Sequence, residues 1–293
     1  MKYSYATVSL YDLTPEQAVE ELRRAGYQGV EWRVGDAPHA MRSSASRFLT
    51  GNLCTLEPGM RDSGRISRLC ADAGLAVVGL GPYLEVADLD GLEQMVAMAL
   101  ELGAPQVRIQ APRADTAGFD YPGLVRSTKA FLAAGERLGR AAGVRIVLET
   151  HQNTIAPSAS LAAQLVSSFD PAAIGVIYDF GNLVWEGYEQ HRMALEILGP
   201  YLHHVHLKNA SASRDTDGGW RYAWSALDDG LVDVPAALRA LTEAGYDGWI
   251  SIEDLSTVRS PSETLRHNAR VLAALPEAAW TGSGNPSAQG DTR

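Results

Sequence analysis

Short apolar runs alternate with longer amphipathic stretches along most of this chain. The runs fall at 5–10 (YATVSL), 29–34 (GVEWRV), 75–80 (LAVVGL), 106–111 (QVRIQA), 144–149 (VRIVLE), 174–179 (IGVIYD), 203–208 (HHVHLK) and 249–254 (WISIED). Their length and apolar continuity predict strands buried on both faces. Between them, 14–26, 88–103, 124–143, 234–245 and 260–275 repeat their apolar positions at helical spacing. Thr14-Pro15 supplies an N-cap and a first turn. Several helices end in Ala-Gly or Leu-Gly, where glycine can take the left-handed conformation that closes a helix.

Eight strands alternating with about eight helices over some 275 residues predict an α/β fold, a (β/α)8 TIM barrel, as a single domain over residues 1–275. A doubly wound open sheet is the runner-up. It calls for a glycine-rich phosphate loop after the first strand, and SLYDLTPE has none. From Pro276 the sequence PEAAWTGSGNPSAQGDTR loses its periodicity, so 276–293 is expected to be a disordered tail.

Composition adds mainly exclusions. With 46% hydrophobic residues, the chain of 293 can bury a large core. A net charge of −10 presents a repulsive surface to polyanions, so no nucleic-acid partner is expected. Cys54 and Cys70 make neither a disulfide framework nor a zinc motif. The start MKYSYATVSLYDL lacks a signal pattern, and no apolar run is long enough to span a membrane. The expectation is a cytoplasmic protein without membrane attachment.

Within this pattern the charged residues are the anomaly. A barrel strand admits charge mainly at its C-terminal end, where side chains enter the mouth in which barrel sites are built. VRIVLE ends at Glu149, with His151 two residues on and on the same face. GVIYD ends at Asp179 and WISIED reaches Glu253; YLHHVHLKN puts His204, His206 and Lys208 on one face. Earlier strands add Glu31 and Arg33 from GVEWR and Arg108 from QVRIQ. Glu149, Asp179, His206 and Glu253 follow one another at 30, 27 and 47 residues, so four consecutive strands each bring a carboxylate or imidazole to one rim. Two glutamates, an aspartate and a single histidine suit a hard divalent cation, Mn²⁺ or Mg²⁺ first, with Co²⁺ or Zn²⁺ as alternatives. Taken singly, each residue has an ordinary reading, such as a helix cap, a rim salt bridge or a hydrogen-bonded core histidine. Four in succession are harder to explain that way.

LETH, YDFGN, HVHLKN and the closing DDGLVDVPAALRALTEAGYDGWISIED resemble the xylose isomerase-like TIM barrels, the sugar phosphate isomerase/epimerase group. The resemblance spans about residues 3–275 and is strongest over 144–255. It implies one divalent metal held by Glu149, Asp179, His206 and Glu253, with Glu149 and Glu253 also carrying protons. It has departures. Many relatives have Asp-x-x-His after strand six, where this chain has Asn182, and His-x-Lys-Asp after strand seven, where it has Asn209. Asparagine hydrogen-bonds but cannot exchange a proton near neutral pH. The trinuclear zinc site of endonuclease IV, a distant relative, needs many more histidines than the seven present.

The expected activity is isomerisation or epimerisation of a keto-sugar or related polyol, in carbohydrate metabolism, through deprotonation next to a carbonyl and an enediolate. A lyase on the same barrel is the alternative, an inosose-type dehydratase or a 3-keto-glycoside-cleaving enzyme. A non-catalytic accessory subunit is the third reading. His151, Asn182, Lys208, Arg108 and Glu31 are expected to bind substrate, with Tyr83 as a wall. The long stretch 209–230 would be a lid bearing Arg214, Trp220 and Arg221; alternatively, Trp220 and Trp224 pin it to the barrel or to a second subunit. A homo-oligomer, dimer or tetramer, fits a barrel of this size.

Overall fold

Each of the eight apolar runs contributes a strand, and the strands close on one another. A computed structural model describes residues 1–35, 48–49, 51–59, 63–186 and 189–275. In chain order the strands are β1 (Lys2–Ala6), β2 (Gly29–Arg33), β3 (Ala76–Gly81), β4 (Gln106–Gln110), β5 (Arg145–Glu149), β6 (Ile174–Asp179), β7 (Leu202–Leu207), β8 (Asn209–Arg214), β9 (Trp220–Ser225) and β10 (Trp249–Ile252). All but β8 and β9 pair in parallel into a closed barrel, ordered β1-β10-β7-β6-β5-β4-β3-β2. The helices are α1 (Pro15–Ala25), α2 (Ser63–Asp72), α3 (Leu89–Leu102), α4 (Tyr121–Ala142), α5 (Ala159–Val166), α6 (Leu183–Glu186), α7 (His191–Leu198), α8 (Val234–Glu243) and α9 (Pro261–Ala273). The expected tail, 276–293, lies outside the described residues.

The helix signals behave as predicted. Thr14 and Gln17 form a reciprocal capping box at α1, satisfying two otherwise orphaned backbone donors. Gly26, Gly103 and Gly143 close α1, α3 and α4 with positive φ. The first strand departs most from its prediction. It was expected at 5–10, but β1 ends at Ala6 and Thr7–Ser9 form a 3₁₀ turn. Its ladder to β2 stops at the Ala6–Glu31 pair. The Thr7 hydroxyl instead accepts the Arg33 amide at 2.8 Å, turning the chain at the barrel mouth.

Alternation along the strands divides apolar from polar. Trp32, Ile109, Leu148, Tyr178, Leu207 and Ile252 belong to the large core that packs the strands against the helices, all of them sealed from solvent. Burying each such side chain contributes roughly 1.5–3 kcal/mol. Their neighbours in sequence, Glu31, Arg108, Glu149, Asp179, His206 and Glu253, therefore fall on the opposite face, inside the barrel. A stable outer core thus holds a ring of charge that could not persist on its own.

Candidate metal centre and its surroundings

Four strand ends bring their polar groups together. One donor atom each from Glu149, Asp179, His206 and Glu253 lies within 4.8 Å of the other three, and all four residues are buried. His206 is central. Its Nδ1 is 3.0 Å from Glu149 Oε1 and 3.5 Å from Asp179 Oδ2. Its Nε2 faces both oxygens of Glu31, at 3.1 and 3.0 Å.

Asp179 divides its two oxygens between turn and site. Oδ1 accepts the Asn182 amide at 2.8 Å, the local turn expected of an aspartate before glycine. The Thr150 hydroxyl accepts the Asp179 amide at 3.0 Å, fixing the strand end. Oδ2 faces the cluster: it is sealed from solvent and, among the described residues, has no well-oriented hydrogen bond, although the Lys208 ammonium is 2.9 Å away. Gly181 is required by packing and not by a special φ. A Cβ there would run into the Lys208 side chain and sit 3.0 Å from its carbonyl oxygen. Gly181→Ala is therefore expected to cost about 1–3 kcal/mol, read as a lowered midpoint in thermal denaturation.

Two further cations line the cluster. Arg108 bonds Glu149 Oε2 at 3.0 Å and the Pro82 carbonyl at 3.1 Å. Lys208 bridges Asp179 and Glu253, with Trp224 stacked at 4.7 Å from its ammonium. Burial opposes ionisation of Glu149, but Arg108 and His206 outweigh it and hold the carboxyl well below the usual range. Burial likewise opposes the His206 imidazolium; Glu31, Asp179 and Glu149 overcome that and raise its pKa well above the ordinary value. For Glu31, burial is outweighed by His206 and His204, and the pKa falls. His204 goes the other way: burial dominates and keeps it neutral.

These residues fit a divalent cation. Around His206 stand four carboxylates, Glu31, Glu149, Asp179 and Glu253, against Arg108, Lys208 and a protonated His206. Among these seven buried groups that leaves one uncompensated negative charge, an expensive arrangement. Replacing the His206 proton by a doubly charged ion restores neutrality. Asp179 Oδ2 is the open acceptor such an ion would take.

The remaining expected site residues separate into two groups. Glu31, Arg33, Gly81, Tyr83, Arg108 and Glu253 border a small recess at the mouth, with room for about one water molecule. Tyr83 lies between two guanidinium groups, 5.1 Å from Arg33 and 5.0 Å from Arg108. Arg33 turns to Thr55, so the pairing of Glu31 with Arg33 that sequence proximity suggests is replaced by Glu31 with His204 and His206. Arg108 and Lys208 likewise find Glu149, Asp179 and Glu253 and not Glu31 as their carboxylates. Asn182 is fully buried; its Nδ2 donates to the Thr150 carbonyl at 3.1 Å, and among the described residues its Oδ1 has no hydrogen-bond partner. His151 is half-buried on the rim, with Nδ1 2.8 Å from the Gln152 carbonyl.

The stretch 209–230, the expected lid, has regular structure. It is mainly an antiparallel hairpin, β8 against β9, clamped at its base by Asn209. Asn209 Nδ2 donates to the Leu227 and Val232 carbonyls, and its Oδ1 accepts the Val232 amide. An aspartate there could accept but not donate, which accounts for the departure from His-x-Lys-Asp. Arg214, Trp220 and Arg221 stand at or next to the far end of the ladder, where Arg214 stacks on Trp220, so they are set apart from the carboxylates. The residue that reaches the cluster is Trp224, stacked 4.3 Å from Trp185. The alternation of Trp220, Tyr222 and Trp224 is a strand signal that marks this hairpin in the sequence.

Residues 19–275 match the xylose isomerase-like TIM barrel family. The chain belongs to that family. It is 25% identical over 264 residues to an inosose dehydratase of Lacticaseibacillus casei, covering 83% of this chain and 82% of that protein. Among solved structures, the family member superposes on an L-ribulose 3-epimerase with TM-score 0.73 at 18% identity, covering 95% and 96% of the two chains. A protein named IOLI, solved with a zinc atom, gives TM-score 0.74 at 16% identity over 96% of this chain and all of that one. No helix among the described residues is long and apolar enough to cross a membrane.

Proposed function

We propose that this barrel is a divalent-metal-dependent isomerase or epimerase that removes a proton next to the carbonyl of a keto-sugar or related polyol. The observation that carries this reading is the buried set Glu149, Asp179, His206 and Glu253, which together with Glu31, Arg108 and Lys208 is left with one excess negative charge without a cation. Those four residues would hold the ion, Mn²⁺ or Mg²⁺ by their oxygen-rich chemistry, with Zn²⁺ supported by the zinc in the IOLI structure. When bound, the ion supplies Lewis-acid polarisation of the substrate carbonyl.

The chain's own groups do the rest. Glu253 borders the recess and is the better placed of the two glutamates to take the proton. Glu149 has both oxygens engaged, one by His206 and one by Arg108, so it holds a proton poorly. Arg108 and Arg33, flanking Tyr83, would orient hydroxyls and offset the charge that develops on oxygen. Tyr83, partly exposed at the mouth, would form a wall of the site.

A second reading is dehydration, favoured by the relative that covers 83% of this chain. Both reactions begin with the same C–H cleavage and diverge when a hydroxide leaves. In D₂O with added Mn²⁺ and a panel of keto-sugars and inososes, isomerisation or epimerisation would place one deuterium in a product of unchanged formula. Loss of water supports the dehydratase. No conversion of any of them, and no bound metal on elemental analysis, would leave the accessory-subunit reading.

A further inference from the structure

Beneath the four proposed ligands lies a second polar layer that the proposed chemistry does not use. Glu31 Oε2 is 3.0 Å from His204 Nε2 as well as 3.0 Å from His206 Nε2. His204 Nε2 also meets Ser251 Oγ at 2.9 Å, and Ser251 Oγ meets Ser4 Oγ at 2.7 Å. All five residues are buried and come from β1, β2, β7 and β10, which are neighbours around the barrel. Adjacent-strand register sets this layer: Ser4 is opposite Ser251, and Ser251 is opposite His206.

The same atoms permit two incompatible arrangements. Glu31, His204 and His206 form a compact group of three potential ligands in their own right. An ion bound there would take His206 through Nε2, leaving the proton on Nδ1 to face Glu149. An ion bound by Glu149, Asp179, His206 and Glu253 would take Nδ1, leaving the proton on Nε2 to face Glu31. His206 cannot serve both as a neutral ring, so its tautomer distinguishes them.

Three facts decide between the two. The four-residue group offers three carboxylates, and the three-residue group offers one. Among the described residues Asp179 Oδ2 lacks a well-oriented donor, whereas both Glu31 oxygens already receive imidazole nitrogens. A carboxylate only accepts, so two imidazole nitrogens at 3.0 Å must each bring a hydrogen to it.

We infer that Glu31 is a positioning residue: it holds the proton of His206 on Nε2, with His204, Ser251 and Ser4 fixing the Glu31 carboxylate, so that Nδ1 is presented to the ion. This rests on the metal reading above and replaces the expectation that Glu31 binds substrate. A carboxylate behind a ligating histidine sets its tautomer and raises its basicity, and removing such a partner typically lowers metal affinity by about 10–100-fold.

The test uses the full chain labelled with ¹⁵N-histidine and titrated with Zn²⁺, with resonances assigned against a His204→Asn variant. His206 is expected to show a metal-bound Nδ1 and a slowly exchanging proton on Nε2. Glu31→Gln, whose carboxamide is a neutral acceptor, is expected to bind Zn²⁺ about 10–100-fold more weakly by calorimetry and to lose that slowly exchanging proton. If Glu31→Gln does not fold, the wild-type spectrum alone decides, because it reports the tautomer directly. Zinc bound through Nε2, or unchanged affinity in Glu31→Gln, would overturn the positioning role and leave the metal reading standing. A wild-type protein that binds no zinc, manganese or magnesium would overturn both.

Discussion

Glu253→Gln is expected to lower turnover by about 10²–10⁴-fold at saturating metal while leaving the thermal midpoint of the loaded protein nearly unchanged. The size follows from its proposed role as the proton acceptor. A carboxamide of the same shape can still meet the Lys208 ammonium and fill the same space, but it cannot accept a proton at neutral pH. Glu149 is a poor substitute. Its oxygens are tied to His206 at 3.0 Å and Arg108 at 3.0 Å, and those partners keep it ionised, with little affinity for a further proton. Glu253 meets Lys208 through Oε2 and borders the recess at the mouth. The decisive measurement is solvent deuterium incorporation together with turnover, both at metal concentrations shown to saturate the variant. Both should fall in parallel. Turnover within a few-fold of wild type would assign the proton transfer to another group. A variant restored by excess metal would make Glu253 a ligand only.

Much of this centre is legible in the sequence because parallel strands make charge conspicuous. Glu149, Asp179, His206 and Glu253 each end or closely follow an apolar run, and a barrel sends such residues to one rim. Which cation meets which carboxylate is far less legible. Arg108 and Glu149 are 41 residues apart and meet only because β4 and β5 pair in register, Gln110 opposite Glu149. Lys208 follows His206 by two residues, yet its partners are Asp179 and Glu253 from the strands on either side of β7. Glu31 is further removed still: it lies 175 residues from His206 in sequence, and the contact depends on barrel closure and on layer depth. Aromatic content makes 209–230 an expected lid, its period-two alternation makes it a hairpin, and only Trp224 of the three alternating aromatics reaches Lys208.

Lys208→Met should have the largest effect on stability, and a divalent cation should reverse part of it. Lys208 is buried, and its ammonium is the partner of both Asp179 and Glu253. Burial disfavours that charge, but the two carboxylates outweigh it and raise the pKa, so Lys208 is a cation throughout the neutral range. Methionine keeps most of the volume and its contact with Trp224 while removing the charge. Two buried carboxylates then lose the cation they share. Breaking a buried pair by removing one partner costs about 3–5 kcal/mol, roughly a 10 °C fall in midpoint for a chain of this size. A bound divalent ion neutralises the same carboxylates, so Mn²⁺ should raise the midpoint of the variant by more than it raises that of wild type. In both proteins this rescue should weaken on acidification. The metal-free His206 is protonated at neutral pH because its pKa is raised, and the ion must displace that proton. Affinity should therefore climb about tenfold per pH unit until the pH passes the His206 pKa, and level off above it. Differential scanning calorimetry in EDTA and in Mn²⁺, at two pH values, reads all of these. Equal midpoints for Lys208→Met and wild type in EDTA would mean that the two carboxylates carry no net charge, and the charge count that calls for a metal would then fail.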